Sequence, residues 1–242
     1  MSLPALGNLS MVAGAKVLLA VISPLQGFFD QPGEAHEFCN RQAIKMIADS
    51  GNAGYASLLG TYLSELNAGV YWADKGWKNV CHYYEPVSGR GLWQFNNALE
   101  MFGYYYDRSL KALGGGELPK AVFFLGAAVH LLQDLCVPHH ARAKVFNGHK
   151  EYESWVKIHY ADYAVGSFDR VFYPEDRQKL LLANVAMAAD LYDLVDSGQG
   201  NCRYHEVTAI ALPQAQRATA RLFEQFCNSV QAIGAGNLVT VA

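Results

Sequence analysis

Residues 118–136 read LPKAVFFLGAAVHLLQDLC. Apolar side chains fall on almost every face of this stretch, the pattern of a helix surrounded by other helices. The polar residues of its interior stretch are His130, Gln133 and Asp134. A buried carboxylate is costly unless it is paired or binds a metal. His130 and Asp134 lie four residues apart, on one helix face. They are therefore either a hydrogen-bonded pair or two ligands of one ion. Working outward, the periodicity stays helical. Residues 33–50 read as a helix opened by Pro32 and closed by Gly51, and 53–68 as a second. LWQFNNALEMFGYYYDRSLKAL (92–113) is amphipathic and stops at Gly114-Gly115-Gly116. Further helices are expected at about 148–166, 176–197 and 205–233. Residues 69–91, rich in Gly, Tyr and Trp without a helical stripe, read as a long loop, and such loops in compact domains are usually functional. Strand patterns are scarce. The expected fold is all-α: a single-domain multi-helix bundle with a metal cluster at one end of a central buried helix.

The bulk properties agree. The chain has 242 residues, 51% apolar and 17% charged, enough for one domain with a large core. A net charge of -3 gives no basic footprint for long nucleic acid, although a small phosphate ester held by metal remains compatible. Five widely spaced cysteines include no C-x-x-C pair, which argues against a cysteine zinc site. Near the front, Lys16 precedes the short apolar run VLLAVIS, too short to span a bilayer. Residues 1–27 are either a secretory signal cut near Gly27 or an apolar N-terminal arm, and 28–242 form the helical domain.

Metal ligation gains weight further along. HLLQDLCVPHHARAKVFNGHKEYE (130–153) contains two His-x-x-x-acid pairs, His130 with Asp134 and His149 with Glu153, with His140 between them. Imidazole and carboxylate are the ligand types that zinc takes. One such pair arises often by chance, but two with a further ligand between them are harder to dismiss.

The run His130, Asp134, Pro138, His140, His149 and Glu153 resembles the bacterial zinc-dependent phospholipase C family and the fungal zinc-dependent nucleases that share its fold. CHYYEP (81–86) is similar to that family's His-aromatic-aromatic-acid-Pro segment, WAD (72–74) to the segment supplying an aspartate ligand, and AHEFCNRQAIKMI (35–47) to its first helix. The likeness spans about residues 29–165. It implies up to three zinc ions: one held by Asp74, His82, His130 and Asp134, one by His140, His149 and Glu153, and a third by His36 with Asp134 bridging. It also implies hydrolysis of a phospholipid by metal-activated water to diacylglycerol and a phosphorylated head group, with Asp74 as general base and Asp134 as the bridging carboxylate. The gap from His140 to His149 is shorter than in the phospholipases. The family's N-terminal Trp ligand has no counterpart, since no Trp precedes Trp72.

Further expectations rest on the same likeness. Trp77, Tyr83 and Tyr84 are either a substrate wall or loop packing. His139 is exposed or stands behind a ligand, Glu85 either orients a ligand His or is a surface carboxylate, and Glu151, His159 and His205 lie off the site. Cys81 and Cys136 come near one another and pair. The partner is a phospholipid or other phosphodiester met in transient contact with a membrane surface, with no stable nucleic-acid partner, and the protein is secreted or periplasmic. A single-strand nuclease on the same fold, and a degenerate non-catalytic metal-binding bundle, are the competing functions. The oligomeric state stays open.

Overall fold

A computed structural model describes residues 33–93, 96–166, 173–199 and 203–239. The expected signal or arm and its cut near Gly27 lie outside the described residues. Helix α1 (Glu34–Asp49) carries Glu34 and Glu37 in its first turn, where acidic groups meet the positive end of the helix dipole. Helix α2 is Ala53–Thr61 and α3 is Leu63–Asp74, followed by a 3-10 turn over Gly76–Cys81. Helix α4 (Ala98–Gly114) is capped by Asn97, whose side chain accepts from the Glu100 amide at 2.9 Å. Helix α5 (Leu118–Asp134) has Pro119 in its first turn, where a missing amide hydrogen costs nothing. A short 3-10 turn over His140–Arg142 leads to α6 (His149–His159), then α7 (Arg177–Asp190) and the long α8 (Tyr204–Val239).

The all-α expectation holds. Every residue of α5 from Phe124 to Asp134 is buried. Helices α3 and α4 lie along it, α8 touches it, and α1 packs on α8. Leu125, Leu131, Leu132 and Leu135 share this core with Phe102, Phe223 and Phe226. Among the described residues the only strand-like pairing is an isolated bridge between Glu85 and Arg90, and no helix is long and apolar enough to cross a membrane.

The long loop expected over 69–91 needs correcting, because α3 runs through Gly69 to Asp74. Gly69 is a contact point, not a breaker. A Cβ there would collide with the Phe123 carbonyl oxygen, and one on Gly126 with the Leu66 carbonyl oxygen. Two missing side chains let the α3 and α5 backbones touch. The helix expected over 53–68 is divided at Tyr62. Helix α4 starts later than its apolar pattern suggests because Asn97 caps it. The helices expected at 148–166 and 176–197 end early in 3-10 turns at Tyr160–Tyr163 and Tyr192–Leu194.

Candidate metal centre

Asp134 is the last residue of α5, and four histidines from four segments converge on it. Its Oδ2 lies 2.8 Å from His82 Nδ1, 3.2 Å from His130 Nε2 and 3.5 Å from His140 Nδ1. Its Oδ1 lies 3.3 Å from His36 Nε2. Asp74, the last residue of α3, approaches His130 Nε2 at 4.0 Å. On the far side of His140, Glu153 Oε1 meets His140 Nε2 at 3.3 Å and His149 Nε2 at 2.9 Å. The helical spacing of His149 and Glu153 sets both on one face of α6. All eight residues expected as ligands are thus brought together, in four overlapping groups: His36, His130 and Asp134; Asp74, His82 and His130; His82, Asp134 and His140; His140, His149 and Glu153. Within each group the ligand atoms lie within 4.8 Å of one another.

The donor chemistry fits a cation. A metal-binding imidazole presents a lone pair inward and donates its other ring N–H outward. His82 donates from Nε2 to the Ala73 carbonyl at 3.2 Å, which leaves Nδ1 as the inward lone pair. His140 donates from Nδ1 to the His82 carbonyl at 3.2 Å, which leaves Nε2 facing Glu153. His36 donates from Nδ1 to Gln133 Oε1 at 2.7 Å, which leaves Nε2 facing Asp134. His82 Nδ1 and His130 Nε2 face each other at 3.2 Å. Two lone pairs at that distance repel unless a proton or a metal ion lies between them.

Electrostatics of the protein groups alone point the same way. Burial would raise the Asp134 carboxyl, but His130 and His140 hold it well below its usual range. Glu153, with a side chain 50% exposed, is only partly desolvated, and His149 and His140 hold it below its usual range. Burial disfavours charge on His140, yet Asp134 and Glu153 push it up to about 9. Burial is the largest influence on His36 and His82, and both are lowered.

The remaining candidates separate. Tyr83 is buried, with its ring stacked on His140 at 4.7 Å between centroids. Tyr84 packs against the main core and donates its backbone amide to the His140 carbonyl at 3.0 Å. Trp77 is exposed. His139 is not exposed at all. It stacks on His149 at 5.0 Å and donates Nε2–H to the Asn147 carbonyl at 3.2 Å, while burial lowers its pKa to about 4. Glu85 closes its own turn, accepting from the Val87 and Ser88 amides. His159 stacks on Trp155, and His205 meets the Tyr163 hydroxyl. The disulfide expected between Cys81 and Cys136 is corrected, since both are free. Cys136 sits with Cys39, Phe38 and Leu212 in a separate apolar cluster, its thiol turned back toward the Leu132 carbonyl. Sequence reasoning missed a cleft of about 280 Å³ lined by Leu92, Trp93, Lys144, Val145 and Phe146. Its one sequence signal is Phe146, an aromatic between the ligand candidates His140 and His149.

Comparison with known proteins follows this geometry. The sequence profile of the family described as zinc dependent phospholipase C matches residues 35–203. A search of curated protein sequences returns no match. Among solved structures, an alpha-toxin from Clostridium absonum superposes with a TM-score of 0.69 at 16% identity, covering 84% of this chain and 66% of that one. The Clostridium perfringens alpha-toxin isolated from an avian strain gives a TM-score of 0.69 at 17% identity, over 81% and 63%. At this identity the likeness speaks to fold alone. The chain spans just under two thirds of the length of these two toxins.

Proposed function

Because this chain belongs to the zinc dependent phospholipase C family, shown by the match over residues 35–203, we propose that it hydrolyses a phospholipid to diacylglycerol and a phosphorylated head group. The carrying observation is the convergence of inward-facing imidazole and carboxylate atoms at the ends of α3 and α5. Asp74, His82, His130 and Asp134 hold one zinc, His140, His149 and Glu153 a second, and His36 with Asp134 a third. Zinc held there supplies positive charge for the phosphate oxygens and makes water a usable nucleophile at neutral pH.

The chain's own residues do the rest. Asp134 offers two anionic oxygens to ligand groups on opposite sides. Asp74, with a side chain 43% exposed, is the carboxylate that solvent and substrate reach, and it takes the proton as general base. Tyr83 fixes the plane of the His140 ring, and Tyr84 ties the loop behind it. Trp77 offers an open aromatic face to the substrate. Exposed Trp77, Val87 and Trp93 lie on the segment that follows Asp74, and exposed Phe146 lies between His140 and His149. Trp93 and Phe146 line the cleft together with Lys144, and these apolar tips support transient contact with a phospholipid surface. Residues 1–27 act as a leader and the helical domain from residue 28 is exported, secreted or periplasmic.

One purified sample tests this: metal content by elemental analysis, the N-terminal residue, and hydrolysis of phospholipid vesicles against single-stranded nucleic acid. Zinc-dependent diacylglycerol release, lost in Asp134→Asn and without nucleic-acid cleavage, is expected. Undiminished hydrolysis in Asp134→Asn refutes the mechanism.

A further inference from the structure

Three histidines at this centre donate their outward ring nitrogen to an oxygen. For His82 and His140 that oxygen belongs to the backbone, so substitution cannot remove it. For His36 it is Gln133 Oε1, at 2.7 Å. Gln133 precedes Asp134 on α5 and is 4% exposed. Its amide is fully engaged. Nε2 donates to Asn40 Oδ1 at 3.0 Å and to Thr219 Oγ1 at 2.9 Å. Both acceptors are themselves held: Asn40 Nδ2 donates to Asn67 Oδ1 at 3.0 Å, and the Thr219 hydroxyl donates to the Ala215 carbonyl at 2.7 Å. The orientation of the Gln133 amide follows from this network. Turned over, it would set an oxygen against two acceptor oxygens and an NH2 against the ring N–H of His36, in a buried place where unmade hydrogen bonds are costly. With the amide held, the tautomer of His36 that carries its proton on Nδ1 is the satisfied one. The Nε2 lone pair then faces Asp134.

We propose that Gln133 is a positioning residue: anchored by Asn40 and Thr219, its amide locks the His36 tautomer and so sets the zinc affinity of the position formed by His36 and Asp134. This rests on His36 being a zinc ligand, as proposed above. The lock ties three other helices to a single ring, because His36 and Asn40 lie on α1, Asn67 on α3 and Thr219 on α8.

The test uses the full chain, with zinc alone as the probe. Gln133→Met removes the acceptor and is expected to weaken one zinc by about 10- to 100-fold, leaving the others unchanged. Gln133→Glu keeps an acceptor toward His36 and is expected to retain most of that affinity. Proton–nitrogen correlation spectra of the ring nitrogens read the tautomer directly. In zinc-free wild type the His36 proton is expected on Nδ1, a measurement that stands even if Gln133→Met fails to fold. A proton on Nε2 there overturns the inference. Zinc lost in His36→Ala but fully kept in a folded Gln133→Met overturns it alone. Undiminished zinc in His36→Ala overturns the ligand assignment itself, and this inference with it.

Discussion

Gly126→Ala adds one methyl group where α5 meets α3. That methyl would collide with the Leu66 carbonyl oxygen, part of the α3 backbone, which has no rotamer to change. The helices must part by roughly 1 Å to restore van der Waals separation. Overpacking of this kind costs about 3 kcal/mol at the upper end of its usual range. Alanine offsets about 1 kcal/mol through its better helix propensity, so the net loss is about 2 kcal/mol. For a domain of this size each kcal/mol moves Tm by about 2–4 °C, giving a fall of about 4–8 °C. Gly103 in α4 is the control, since a Cβ there meets nothing within 4 Å. Gly103→Ala should raise Tm, by about 2–4 °C at most. The assay is a circular dichroism melt in chelator, so that metal linkage does not enter. The change has a functional side too. His130 lies one turn beyond Gly126, so parting the helices lengthens its 4.0 Å approach to Asp74, and zinc content should fall. A Gly126→Ala protein that melts at or above wild type refutes the close-approach account of both glycines.

Zinc at a hundred times its Kd should stabilise the folded chain by about 2.7 kcal/mol per site, seen as a higher Tm that chelator reverses. Equal melting with and without zinc would mean that folding and metal binding are not linked. His139→Ala removes the ring behind His149 and the donor to the Asn147 carbonyl. Affinity at the His140, His149 and Glu153 cluster should drop by roughly 2- to 10-fold, the worth of one ring pair, in a zinc titration, and an unchanged isotherm denies His139 this role. Burial pushes the thiols of Cys39 and Cys227 up to about 12, so the unfolded chain ionises first on the alkaline side. Their contribution is fully present below pH 9 and is lost between pH 9 and 12, by about 1 kcal/mol per thiol per pH unit. Denaturant melts across that window should show a shallower alkaline loss in Cys39→Ala than in wild type.

Part of the candidate site is legible from local spacing: His130 with Asp134, and His149 with Glu153, are one-turn pairs whose geometry follows from any helix, whereas His36, Asp74 and His82 are reached only through the resemblance to the family. Burial of the central helix was equally legible from its unbroken apolar character. What escaped was tertiary. Gly69 looks the same in sequence whether it ends a helix or lets one touch its neighbour, and only the matching Gly126 on another helix decides. Cys136 is near Asp134 in sequence, yet it lies in the turn past the end of α5, and its side chain packs toward Cys39. His139 lies next to a ligand, and sequence does not say that the loop folds back to stack it on His149.

Helix polarity explains why these acids need a cation. Asp74 and Asp134 are the last residues of α3 and α5, so each carboxylate sits at the partially negative end of its helix. A carboxylate there is disfavoured, and burying Asp134 adds to the cost. The reciprocal glycine contact holds the two helices against each other, so both negative ends are delivered to one place. The imidazoles of His36 and His82, kept neutral by burial and locked by Gln133 and Ala73, present lone pairs to that place and add no positive charge. A cation satisfies two helix ends, two carboxylates and the inward lone pairs at once. Its position at the end of α5 follows from that polarity.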